Sequence, residues 1–233
     1  MISIAGFQKT FAYAKLFWQG IVCTVSLSAL TVVLGFVLAL LLAVMRLGKS
    51  KFLKAIATVY VEVFRATPMV VQIFIIYYIV FNGVKVLPGY MLFGFIRFER
   101  FFPGVVALSL NSGAYLSEII RSGIQSIDIG QTEAARSLGL SQFQNMQYII
   151  LPQAIKNVLP AIANEFVTII KESAICYTIG VQDIMSAVNA VKGATFSIAE
   201  PLLVAAALYF CLTFPTSKII QHFERKMSAG DRR

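Results

Sequence analysis

The sequence predicts an all-α membrane protein with about five transmembrane helices. Three observations carry that prediction. The 233 residues are 58% hydrophobic and only 13% charged, whereas a soluble domain is about a quarter charged. The apolar residues gather into runs long enough to cross a bilayer, which takes roughly 20 residues per helix. The basic residues sit mostly in the short segments between those runs, as lysine and arginine do in membrane proteins.

The first span, 21–45, contains no charge and stops at the basic stretch Arg46 to Lys51. The second, 59–81, carries Glu62 and Arg65 near its start and Pro68 just after them. The third, 103–121, contains Asn111, Ser112 and Glu118 and ends at Arg121. The fourth, 158–181, is interrupted by Glu165, Lys171 and Glu172, and the fifth, 201–220, is plainly apolar. Spans one and five read as lipid-facing or scaffold helices. Polar groups inside a bilayer usually face a bundle interior or a wet path, so spans two to four are expected to line something. Glu62–Arg65 and Glu118–Arg121 are three residues apart on one helix face and are expected to pair or to act as a gate. Asn111, Ser112 and Glu165 lie deeper and are the candidates for contact with a polar solute.

Orientation follows from the positive charge. Arg46, Lys49, Lys51, Lys54, Arg136, Lys156, Lys218, Arg225, Lys226, Arg232 and Arg233 fall on one side of a five-span topology. Lys9, Lys15, Lys85, Arg97, Arg100 and Lys192 fall on the other. The richer side is the cytoplasmic one, which sets the N-terminus outside and the C-terminus inside. The net charge of +9 therefore suits lipid rather than nucleic acid. Cys23, Cys176 and Cys211 are widely spaced in apolar runs, without metal spacing or a disulfide framework. His222 stands alone in the basic tail, so neither a metal nor a cofactor is expected. The first apolar run is too long for the core of a cleaved leader.

Residues 126–156 fit neither a span nor a flexible loop. Asp128 and Glu133 put negative charge near the start of a helix-forming run, Gly139 breaks it, 142–150 is again helical, and Leu151-Pro152 marks a further turn before the fourth span. Short helices of this kind need packing to persist, so the elbow reads as a docking surface for a partner or, alternatively, as an amphipathic helix lying on the membrane surface. Segments 82–100 and 182–200 are expected as loops on the opposite side. The aromatics of 82–100 would form an interfacial belt, with Lys85 and Arg97 open to a protein partner, and 182–200 is a second candidate contact surface.

Glu133-Ala134-Ala135, then Gly139, Ile149 and Leu151-Pro152, resembles the EAA loop of bacterial ABC importer permeases at every position of its spacing. The segments 60–68, 114–121 and 171–181 resemble the polar amino-acid uptake branch of that family, with Ala66 where glycine is frequent. The resemblance implies a permease subunit of a bacterial cell-membrane importer, which translocates a polar amino acid delivered by an extracytoplasmic binding protein. It implies that Glu133, Ala134, Ala135 and Gly139 form a coupling helix docked on a separate ABC ATPase subunit. It also implies a second permease subunit, identical or similar. The residues agree. No G-x-x-x-x-G-K-[ST] loop is present, so the chain is not expected to hydrolyse ATP. Five spans are too few to enclose an alternating path alone. Ala39 and Ala43 are small enough for close helix approach between such subunits.

The alternatives are a proton-coupled secondary transporter using Glu118 or Glu165, and an oligomeric channel. The first commonly shows internal repeats, and none is visible. The second needs a filter of carbonyls or charged rings, and no such short motif is found. The elbow favours a subunit driven by a partner.

Overall fold

A computed structural model describes residues 2–83 and 85–229. Arg232 and Arg233 of the basic tail lie outside the described residues. The chain is a bundle of helices: α1 (Ile4–Phe11), α2 (Ala14–Leu47), α3 (Lys51–Ala66), α4 (Met69–Phe74), α5 (Phe98–Gln125), α6 (Ile129–Ser137), α7 (Gln142–Asn145), α8 (Leu151–Glu172), α9 (Ile184–Thr195) and α10 (Ala199–Ala229). Two residues of β1 (Met91–Leu92) pair antiparallel with β2 (Ile96–Arg97) in a short hairpin before α5.

The centre of the bundle is the pair α2 and α5, which run parallel. Leu27 packs near Gly104, Gly35 against Ser112, and Leu38 against Gly113. The approach is close enough that a Cβ on Gly113 would lie 2.8 Å from the Leu38 side chain. Ala39 and Ala43 are buried against Leu116 and Ile120 of the same chain. Their small size thus serves packing inside the subunit, where the sequence pointed to packing between subunits. The first span is scaffold on its inner face, while Val33, Val37, Leu41 and Val44 stay exposed.

α2 and α10 are each long and apolar enough to cross a membrane, and two bent pairs could each make a further crossing. The sequence reads the second span as 59–81. The chain instead turns helical at Lys51, behind the Ser50 cap, and bends by 109° between α3 and the helix Met69–Val80. Thr67-Pro68 causes the bend, because proline has no N–H and disfavours a helical residue before it. A bend of this size leaves the last carbonyls of α3 without their helical partners. The chain meets this need with two buried amides. Gln72 Nε2 donates to the carbonyls of Phe64 (2.7 Å) and Thr67 (3.0 Å), and to Thr67 Oγ1 at 2.8 Å. Asn111 of α5 donates to Gln72 Oε1 at 2.9 Å and to the Phe64 carbonyl at 3.3 Å.

Two further expectations change. Leu151-Pro152 is no turn: helix continues from Gln142 to Ile179, with Pro152 just past the π-helical turn Met146–Ile150, where the regular hydrogen-bond ladder is already shifted. The segment 182–200, expected as a loop, contains α9. Asp183 caps it by accepting from the Ser186 N–H at 2.8 Å, and Ile184, Ala187, Val188 and Val191 form a buried stripe at helical spacing. The aromatics of 82–100 do assemble. Tyr90 stacks on Phe98 at 4.5 Å, Phe98 on Phe102, and Phe81 meets Phe102 edge-on.

Replacing Gln72 with Leu keeps the volume but orphans the Thr67 carbonyl, leaves the Phe64 carbonyl with Asn111 alone, and takes from Asn111 its acceptor. It is expected to lower stability by about 2 kcal/mol, the usual cost of a buried unmade hydrogen bond. The change should be read as a lower melting temperature in detergent, with Val71→Leu, at an exposed neighbouring position, as the control that stays near wild type.

Candidate functional site: an elbow and a shared carboxylate

The elbow is built by local sequence signals. Asp128 caps α6, accepting from the Gly130 N–H at 2.6 Å. α6 ends in a C-cap motif: Gly139 has φ +82, its N–H bonds the Arg136 carbonyl, and the Leu140 N–H returns to the Ala135 carbonyl at 3.0 Å. Ser141 and Gln144 form a capping box that starts α7. Asn145 Nδ2 reaches Thr132 Oγ1 at 3.2 Å and closes the two arms on each other. Asn157 of α8 donates to Ser126 Oγ at 3.3 Å and ties the elbow to the bundle.

Within the Glu133-Ala134-Ala135 triplet the roles divide. Ala135 is 4% exposed and fills the inside of the elbow. Glu133 and Ala134 face outward with Ser137, giving a thin, small-residue surface with one carboxylate. Leu138 (81% exposed) and Phe143 (74%) are large apolar side chains left uncovered at the bend. Gly139 is open on its Cβ side, so its requirement is the left-handed backbone and not space.

At the same end of the bundle, Glu118 of α5 is shared by two guanidinium groups. Arg46 Nη1 from the end of α2 meets Glu118 Oε2 at 2.5 Å, and Arg121 grips both carboxylate oxygens from one turn on. Arg121 also donates to Gln125. The Glu118–Arg121 pair was expected. Arg46 was not, because a basic residue after an apolar run reads as a topology signal. Its buried side chain, 9% exposed, makes it the third member. Glu62 and Arg65 do not pair. Both are exposed, and Arg65 lies 5.6 Å over the Tyr115 ring.

The deeper candidates separate. Asn111 is committed to the bend described above. Ser112 is buried against Gly35, its hydroxyl without a hydrogen bond of its own, and it faces the half-buried Glu165 carboxyl of α8. Glu172 lies two turns along the same helix. Among the described residues, no group of three or more His, Cys, Asp or Glu could hold a metal ion.

A helical membrane bundle with a structured elbow at one end defines a transport component. The chain belongs to the family of binding-protein-dependent transport system inner membrane components, matching it over residues 31–229. It is 39% identical over 217 residues to a putative glutamine transport system permease protein of Rickettsia conorii, covering 92% of this chain and 95% of that one. It is 37% identical over 225 residues to the arginine transport system permease protein ArtQ of Bacillus subtilis, covering 97% and 98%. The fold superposes with a TM-score of 0.87 on a crystal structure of an amino acid ABC transporter with histidines, at 39% identity over 97% of this chain and 99% of that one.

The cluster is only partly buried, the Glu118 side chain being 20% exposed, so removing the shared carboxylate costs less than breaking a fully buried pair. Glu118→Gln leaves Arg46 and Arg121 facing each other and is expected to destabilise the subunit by about 1 kcal/mol. Arg46→Met in the same background should recover part of the loss. Thermal unfolding of the detergent-solubilised variants reads both.

Proposed function

We propose that this chain is one of two permease subunits of an ATP-driven importer, and that it passes a polar amino acid inward from an extracytoplasmic binding protein. It is not itself an ATPase. Residues 1–233 act as a single transmembrane permease domain with five crossings: α2, the bent α3–α4 pair, α5, α8 and α10. α5 is the crossing whose hydropathy is lowered by its central, partly polar position. The N-terminus is outside and the elbow and C-terminus are cytoplasmic, in keeping with the charge asymmetry. The relatives' names, which include glutamine and arginine systems, support the substrate class.

The observation that carries the reading is the outward face of the elbow. Glu133, Ala134 and Ser137 give a slender ridge that fits a cleft, and Leu138 and Phe143 are apolar side chains that a partner would cover. Gly139 sets the angle between the arms. We assign the ATPase contact to this surface. The Arg46–Glu118–Arg121 cluster, at the base of the elbow, acts as a latch between α2 and α5, and Glu62 and Arg65 lie at the bend of the second crossing. Glu165 with Ser112 faces the path, while Asn111 supports the bend. A second permease subunit, the same or similar, completes the path.

The test is to tag the C-terminal tail, solubilise native membranes in mild detergent and identify the co-purifying proteins by mass spectrometry. A P-loop ATPase is expected with the wild type and is expected to be lost with Gly139→Asp. Because Gly139 has a positive φ, Leu138→Asp serves as the companion variant on an exposed side chain that leaves the backbone undisturbed. Retention of the ATPase by both variants would refute the docking assignment. An intact oligomer without any ATPase would turn attention to proton-coupled transport through Glu118 or Glu165. Glu165→Ala is expected to lower uptake in vesicles while the ATPase still co-purifies; unchanged uptake and substrate preference would remove it from the path.

A further inference from the structure

The chain ahead of the first long helix forms a helix of its own, and its three sides are chemically distinct. One side meets the bundle. The Ser3 N–H donates to Glu200 Oε1 at 3.0 Å, Gly6 lies so close to the Glu200 carboxylate that a Cβ would collide with it, and Thr10 is fully buried, its hydroxyl donating to the Gly6 carbonyl at 2.9 Å. The next side holds Ile4, Phe7 and Phe11. Ile4 is 81% exposed and Phe11 61%, and the Phe7 and Phe11 rings stack 6.4 Å apart. The remaining side holds Ala5, Gln8 and Lys9, all exposed. With 3.6 residues per turn, Lys9 projects opposite the Phe7–Phe11 stripe.

The helix is also held at a fixed height. Only Ala12 and Tyr13 separate it from α2, and both continue the hydrogen bonding: the Ala12 N–H to the Gln8 carbonyl, the Tyr13 N–H to the Thr10 carbonyl, and the Leu16 N–H to the Tyr13 carbonyl. One turn into α2, Trp18 is 65% exposed, and it opens the outward apolar face that continues through Leu30, Val33 and Val37. Glu200, to which α1 is tied, stands at the start of α10. α1 therefore sits at the shared end of α2 and α10, the two helices among the described residues that are by themselves long and apolar enough to cross a membrane.

We propose that α1 is an interfacial helix whose partner is the phospholipid surface itself, with Ile4, Phe7 and Phe11 among the upper acyl chains and Lys9 and Lys15 at the level of the headgroup phosphates. This rests on α2 and α10 crossing the membrane, and on nothing about substrate or ATPase. The division into one apolar stripe with a lysine opposite is the pattern of helices that lie in the plane of a bilayer. A protein partner fits less well. Three side chains offer far less than the roughly 800 Å² per partner of a specific protein interface. The stripe also borders the face packed on the bundle, so it is directed along the bundle's flank and not away from its end. The consequence is mechanical. Through Ser3 and Gly6 the lipid-seated helix holds Glu200, and through Glu200 the start of α10, at a fixed depth.

Trp18 is the sole tryptophan in the sequence, which gives a direct test. Phe11→Trp and Ala5→Trp are made separately in a Trp18→Phe background, and the full permease is purified with its ATPase partner and reconstituted in phosphatidylethanolamine–phosphatidylglycerol vesicles. The emission of the Trp18→Phe complex is subtracted. Tryptophan at 11 is expected to be quenched by lipids spin-labelled near the headgroup and shielded from aqueous iodide. Tryptophan at 5 is expected to behave oppositely, with an iodide quenching constant about fivefold higher, as for a helix half immersed in the interface. Equal iodide access at both positions would overturn the proposal, because the helix would then stand clear of the bilayer. Shielding of position 11 from both quenchers would also overturn it, because protein would then cover the stripe. Failure of α2 to span would show separately, as iodide quenching of Trp18 in the otherwise unaltered protein.

Discussion

Every backbone polar group in a bilayer must find a partner within the protein, and the bend at Thr67-Pro68 is where this chain meets that constraint most sharply. Straight helices satisfy it by construction. A helix bent by 109° does not. The repair uses Gln72 from just beyond the bend and Asn111 from the neighbouring helix, and this couples α5 to α3 and α4 through hydrogen bonds rather than through apolar contact alone. Tyr60 adds a third polar link, its hydroxyl donating to the Leu110 carbonyl at 2.8 Å. α5 in turn lies against α2 across a glycine seam. The middle of the bundle is therefore a chain of dependencies that runs from a proline to two amides to a tightly packed helix pair.

That order explains why the polar residues of the third span divide by role. Asn111 and Ser112 are adjacent in sequence and both buried, but they project from different sides of α5. One is consumed by the bend. The other faces α8 and Glu165. Two turns further on, Glu118 points toward the end of α2 and is held by Arg46 and Arg121. A single helix thus supports the broken span, borders the half-buried acid of α8, and anchors the base of the elbow. The elbow is joined to the bundle through Ser126 and the Asn157–Ser126 hydrogen bond, beside Gln125 and the arginine–glutamate cluster.

Much of this was legible in the sequence. The apolar runs marked the long helices, and the elbow's caps, Asp128, Gly139 and Ser141, are all local signals that act through their own neighbours. What escaped was of two kinds. Periodicity at 184–191 and the Asp183 cap are present in the sequence, but the stripe is short and lies between two longer apolar runs, where its position reads as a loop. The role of Arg46 could not be seen at all. Its partner is 72 residues away, and the same residue type at the same place reads equally well as an ordinary stop charge. The failure of Glu62 and Arg65 to pair has the same cause. Spacing of three on a helix permits an ion pair, but an aromatic ring supplied by α5 offers Arg65 a competing seat that sequence spacing cannot display.

The same reasoning bears on why the first ten residues matter. In a transporter that alternates between states, some part must stay fixed with respect to the membrane while others move. The elbow and the latch at the base of α5 are built from exposed or shared polar contacts, which can exchange partners at small cost. The opposite end is built differently. There α9 packs a continuous apolar stripe against α2 and α10, Gly20 lies directly on the backbone of Asp183, and α1 closes over Glu200. Close-packed contacts of that kind deform little, because cores tolerate few voids or overlaps. With α1 seated in lipid as proposed, a rigid corner above a polar and adjustable end is an arrangement in which force applied at the elbow would turn α5 and the bent α3–α4 pair against a frame that the bilayer itself holds still.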